Sequence, residues 1–150
     1  MRFHETIPVR ASQPTVAGLL NDLPALLACL PICKETSVQP DGSFRTIAED
    51  RVGPFKARLV LTGSASTGSE GGLSVKAQGQ DAALGSGMVL QLTLGAAAAG
   101  DGAVVSVDAE VQVRGKLASL GVPIFNLKAA EVMKQFGIAL RSRLEGGGGV

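Results

Sequence analysis

The feature that most constrains this chain is a change of hydrophobic period near residue 115. On its N-terminal side, in VSVDAEVQVRG, Val105, Val107, Ala109, Val111 and Val113 alternate with Ser106, Asp108, Glu110, Gln112 and Arg114. That period of two predicts a strand of an antiparallel sheet with one buried and one wet face. On the C-terminal side, in VPIFNLKAAEVMKQFGIALRSRLE, Phe125, Ala129, Val132, Met133, Phe136, Leu140 and Leu144 recur at helical spacing and form one apolar stripe. Pro123 suits the first turn of this helix, Arg141 and Arg143 suit its last turn, and Gly146 begins the stop. A one-faced sheet and a one-striped helix must bury each other.

The preceding residues supply the rest of the sheet. Phe3 to Val9 alternates and reads as an opening strand. Ser12 is an N-cap with Pro14 in the first helical turn; Asp22 caps a second short helix with Ala25 to Leu30 as its body, ended by Pro31. Asp41-Gly42 predicts a hairpin between a strand ending near Gln39 and one starting near Ser43. Further inward rows are Phe55, Ala57, Leu59 and Leu61; Leu73, Val75 and Ala77; and Met88, Leu90, Leu92 and Leu94. TGSASTGSEGG is expected to supply a turn, and GAAAAGDG a mobile turn. The fold class is therefore α+β: a curved antiparallel sheet of about seven strands around a long C-terminal helix, with two short helices after the first strand. This is a helix-grip arrangement, expected as one domain over residues 1–145, with residues 146–150 a flexible glycine-rich tail.

Charge and composition narrow the function. Fourteen Lys and Arg against thirteen Asp and Glu leave no basic stripe for phosphates, and five Phe with no Trp or Tyr leave few rings for base stacking. Nucleic acid is not an expected partner. The longest apolar runs, VAGLL and PALLACLPI, fall well short of the roughly 20 residues that span a bilayer, and MRFHETIPV has no signal-peptide core. A soluble cytosolic chain is expected, its two cysteines free thiols.

Reactive chemistry finds little support. Two Cys and one His are too few for a zinc site, and Cys29 and Cys33 are spaced by three residues including a proline. Cys29 ends a helix, where the dipole disfavours a thiolate, so both cysteines read as small packing residues near a pocket mouth. His4 is the single candidate base, and Glu49-Asp50 and Asp108/Glu110 read as solvated carboxylates. GSASTGSEGG lacks the lysine and strand-to-helix context of a phosphate loop. What remains is an apolar interior. Its expected cavity wall comprises Leu26, Leu27 and Leu30 from the short helices and Leu59, Leu61, Leu90 and Leu92 from the sheet. Phe125, Ala129, Val132, Met133 and Phe136 complete it from the long helix. The alternative, that these side chains simply fill a core, stands beside it.

LLNDLPALLACLPIC, DGSFRTIAEDRVGPFKARLVLTG and VQVRGKLASLG, in this order before a long helix, resemble the carbon monoxide dehydrogenase CoxG family, a branch of the START-like (SRPBCC) superfamily. The most specific pieces are Asp22 and Leu26 with Leu30-Pro31, Val52-Gly53-Pro54 and Gly115-Lys116-Leu117-Ala118. The chain departs from the family pattern at Ile32, where glycine is usual, and at Val122-Pro123. The resemblance implies no catalysis and no cofactor. It implies instead an accessory protein of a molybdenum hydroxylase of the carbon monoxide dehydrogenase type, acting through a hydrophobic ligand such as a quinone or another lipid. The competing expectations are an assembly or membrane-recruitment factor working through surface contacts, and a cyclase- or hydrolase-like enzyme. Longer members carry a membrane-attachment tail; the chain stops at Val150, so such a tail is expected to be absent or removed, with any membrane contact peripheral.

Overall fold

Alternating segments become strands and stripe-bearing segments become helices. The computed structural model describes residues 1–68 and 72–146. In chain order the elements are β1 (Arg2–Val9), α1 (Gln13–Leu20), α2 (Leu23–Ala28), β2 (Cys33–Val38), β3 (Ser43–Val52), β4 (Phe55–Thr67) and β5 (Leu73–Asp81). Then follow β6 (Ser86–Ala99), β7 (Gly102–Arg114), a 3₁₀ turn (Lys116–Leu120), α3 (Val122–Arg141) and a closing π-helical turn (Ser142–Gly146). The strands form one antiparallel sheet in the order β1-β7-β6-β5-β4-β3-β2. From β2 to β7 the chain is a meander, while β1 pairs with β7, so that His4 faces Asp108 and Ile7 faces Val105.

Both short helices begin as their caps dictate. The Ser12 hydroxyl accepts from the Thr15 N–H at 3.3 Å, and an Asp22 carboxylate oxygen accepts from the Ala25 N–H at 3.2 Å. The second helix is shorter than expected. It ends at Ala28 because the chain tightens there: Cys29, Leu30 and Cys33 each donate to the carbonyl three residues back. Leu30 consequently lies outside the helix.

Two expected turns are largely strand. GAAAAGDG is not a mobile turn: β6 continues to Ala99, which pairs with Gly102, and the turn shrinks to Gly100 and Asp101, with Gly100 at φ +56°. The ladder to β7 pairs one edge of these alanines' backbone, and on the other edge, beyond the end of β5, the Gln13 amide donates to the Ala96 carbonyl at 3.1 Å, tying α1 onto β6. In TGSASTGSEGG, β4 runs to Thr67 with Ala65 packed on the core and paired with Val75. Residues 69–71 of the turn and 147–150 of the tail lie outside the described residues.

The passage from sheet to helix hangs on Gly115. Its φ of 81° and ψ of −153° fall in a region open to glycine alone, and a Cβ would collide with the Gly85 carbonyl oxygen. The turn that follows buries Leu117 at 1% exposure, and the Leu117 N–H donates to Ser86 Oγ at 2.9 Å. Gly115→Ala is expected to lower the unfolding free energy by about 1–3 kcal/mol, read as a lowered midpoint in a urea titration followed by circular dichroism. An unchanged midpoint would show that this turn does not hold the helix in place.

Buried side chains gather at the two ends of α3. The larger cluster joins Phe136 and Leu140 to Val16, Leu20, Leu26 and Leu27 of α1 and α2, and to Ile7, Phe44, Leu73, Val75, Leu94 and Val105 of the sheet. The smaller joins Phe125 to Val52, Ala57 and Leu117, with Phe3, Phe55, Val113 and Ile124 packed against it. Two phenylalanines three turns apart on one stripe thus anchor opposite ends of the helix.

A candidate binding cavity under the long helix

Between the two clusters the helix and sheet do not close on each other. A cavity of about 250 Å³ lies there, its wall almost entirely hydrocarbon. Leu59, Leu61, Leu90 and Leu92 rise from the sheet; Phe125, Ala129, Val132 and Met133 descend from α3; Leu30 reaches in from the link after α2. The space exists because small side chains converge in mid-sheet: Ala48, Ala57 and Ala109 line it together with Ala129 of the helix. Larger inward residues at those positions would meet the helix stripe and fill the gap.

Three expected wall residues are elsewhere. Leu26 and Leu27 are spent on the larger core cluster, because α2 packs down onto α1 and β2. Phe136 lies one turn past Met133 and is 2% exposed in that same cluster. Residues not anticipated on the wall include Met88, Val107, Val111, Ile32, Cys33, Asp50 and Lys128. The inward rows of β6 and β7 contained a signal for the first three; the last two required knowing which helix residue meets which strand.

Asp50 and Lys128 correct the reading of Asp50 as a merely solvated carboxylate. Lys128 Nζ donates to Asp50 Oδ2 at 3.0 Å and to Glu131 Oε2 at 3.2 Å, bridging β3 to α3 at the cavity rim. Burial by itself would raise the Asp50 carboxyl, but hydrogen bonds from Lys128 and the Arg51 N–H, with the Lys128 and Lys34 charges, hold it below the usual aspartate range. Burial would likewise lower the Lys128 ammonium, and its bonds and charge interactions with Asp50 and Glu131 hold it above the usual lysine range. Asp50's contribution is complete above the ordinary aspartate pKa and fades only as pH falls through its lowered value; that of Lys128 fades only as pH rises through its raised value. The bridge is therefore fully charged across neutral pH.

Of the remaining reactive groups, His4 and Glu5 border the cavity at the edge strand β1, and apart from Cys33 the others lie off it or are buried. His4 Nδ1 lies 2.7 Å from Asp108 Oδ1 on the solvent face of the sheet, and both side chains are more than half exposed. Glu49 sits between Lys34 at 3.7 Å and Arg58 at 3.6 Å, and Arg51 is exposed. Cys29 is buried in the core, and its thiol is pushed up by burial, with the Arg143 charge pulling the other way. Cys33 stands on the cavity wall, raised by burial against a Thr46 hydrogen bond that lowers it. Both thiols are thus biased toward the unreactive protonated form. No described helix is long and apolar enough to cross a membrane.

Comparison with known proteins agrees with this architecture. The family described as CoxG, of carbon monoxide dehydrogenase, matches residues 6–144. Among solved structures, a conserved protein from Geobacillus kaustophilus superposes with a TM-score of 0.84 at 12% identity, covering 96% of this chain and 95% of its own. A START superfamily protein from Mycobacterium smegmatis gives 0.72 at 19% identity, covering 96% and 97%. A STAR-related lipid transfer protein from Xanthomonas axonopodis gives 0.54 at 18% identity, covering 95% and 85%. Among curated proteins none matches the sequence. These likenesses establish the START-like helix-grip fold.

Proposed function

We propose that this chain, which belongs to the carbon monoxide dehydrogenase CoxG family, holds a hydrophobic small molecule or lipid in the cavity between α3 and the sheet. The observation that carries this reading is the hydrocarbon wall of that cavity, propped open by the two clusters at the helix ends. Each methylene moved from water into such a wall contributes about 0.8 kcal/mol, so a chain of several carbons binds without a polar handle. Met133 on the wall can adapt its rotamers to the ligand's outline.

In its finer form the reading is of a carrier for a quinone-like molecule, serving a molybdenum hydroxylase of the carbon monoxide dehydrogenase type. The family name supports the partner, and the scarcity of polar wall groups supports the ligand class. A binding rather than catalytic role fits the pairing of His4, which borders the cavity, with the exposed Asp108, and of Glu49, which is not on the wall, with Lys34. A second reading, assembly or membrane recruitment by surface contact, draws on the exposed apolar residues Val122, Leu127 and Ile138 of α3.

Native mass spectrometry of the protein as purified, followed by solvent extraction, separates the two. The expected result is a stoichiometric apolar adduct, or its stoichiometric uptake when a short-chain quinone is added. A bare mass that takes up neither quinone nor neutral lipid would overturn the binding reading and leave the surface reading in its place.

A further inference from the structure

The rim of the cavity carries charge in an arrangement that the hydrocarbon wall does not need. Lys128 is the one lysine or arginine among the described residues of the wall, and its side chain is only 20% exposed. Its ammonium is held by two carboxylates, Asp50 at 3.0 Å and Glu131 at 3.2 Å. Lys34, whose charge also reaches Asp50, is itself paired with Glu49 at 3.7 Å. Outside the cavity, between β3 and α3, lies a second hollow of about 290 Å³ that shares Ile32, Asp50 and Val132 with it and is walled further by Lys34, Glu49 and Glu131. An apolar interior and a polar hollow therefore meet at the Asp50–Lys128 bridge, with Ile32 between them.

A carboxylate drawn into an apolar cavity carries a heavy desolvation cost unless a cation meets it. Here both lysines at the mouth are already committed, Lys128 to Asp50 and Glu131 and Lys34 to Glu49. An anionic ligand head would have to displace Asp50 or Glu131 and would face the carboxylate it displaced. An uncharged head bearing a hydroxyl or carbonyl has no such conflict and can rest in the polar hollow while its chain fills the cavity. We infer that Asp50 and Glu131, by saturating Lys128, are specificity-determining residues that make the site select lipids with uncharged polar heads and reject those with carboxylate heads. This rests on the cavity being a binding site, and it adds the head-group class and the residues that set it.

The test is displacement of the neutral dye Nile red by 1-decanol and by decanoate at neutral pH. The two share a chain length and differ in head charge. The wild-type protein is expected to bind decanol at least tenfold more tightly than decanoate. Asp50→Asn, by freeing the Lys128 charge, is expected to move that ratio about tenfold toward decanoate, and Glu131→Gln is expected to move it in the same direction. Adding Lys128→Met to Asp50→Asn is expected to abolish the gain. Far-ultraviolet circular dichroism and an unchanged urea midpoint show that each variant is folded. A wild-type ratio near one, or a ratio unmoved in both carboxylate variants, would overturn the selectivity inference while leaving the binding site standing. Failure of the wild-type protein to bind Nile red, decanol or decanoate would overturn the binding reading and this inference together.

Discussion

Leu140→Ala is expected to lower the unfolding free energy by about 2–5 kcal/mol. Leu140 has no exposed surface and sits in the larger core cluster with Phe136, Ile7 and Val105. It lies in the last turn of α3, where Arg141 Nε also donates to the Pro8 carbonyl at 2.9 Å, so its side chain pins the helix end onto β1. Truncation removes the transfer free energy of the lost carbons and leaves a void that neighbours on a hydrogen-bonded sheet cannot close. Set against a typical total of about 5–15 kcal/mol, this is a large fraction. Urea unfolding followed by far-ultraviolet circular dichroism is expected to show a lower midpoint with an unchanged slope. A change below about 1 kcal/mol would mean that this end of the helix is not the anchor described above.

Three turns earlier the same stripe is expected to respond in the opposite way. Ala129→Trp places a large ring in the cavity, where space for it already exists. Affinity for an apolar ligand is expected to fall by more than tenfold, equivalent to about 1.4 kcal/mol or more. Stability is expected to change by no more than the roughly 1–3 kcal/mol typical of overpacking. The protein has no tryptophan or tyrosine, so the new side chain is its sole indole, and blue-shifted emission reports that it sits inside. Blue-shifted emission combined with undiminished ligand binding would show that the ligand binds elsewhere.

The contrast between Leu140 and Ala129 measures how far the sequence can be read. Both belong to one apolar stripe, and helical spacing places both on the inward face. Spacing does not say whether an inward residue meets a partner or a void. That is why Leu30, Leu59, Leu61, Leu90, Leu92, Phe125, Ala129, Val132 and Met133 are on the cavity wall, whereas Leu26, Leu27 and Phe136 of the same pattern are not. Repetitive composition misleads for a related reason. GAAAAGDG has the low complexity of a loop, yet its backbone is fixed by β7, a partner that local composition does not reveal.

By itself the sequence determined the kinds of elements and their order. Alternation, helical stripes, the Ser12 and Asp22 caps and the Asp41-Gly42 turn all act over a few residues, where the chain's own geometry decides the outcome. The tertiary structure alone decided that β1 lies beside β7, that alanines from β3, β4, β7 and α3 converge on one void, and that Lys128 meets Asp50, 78 residues away in the chain. Those outcomes depend on strand register and on the seat of the helix. Both are settled by packing and hydrogen bonding among distant segments, which leave no mark on the local period.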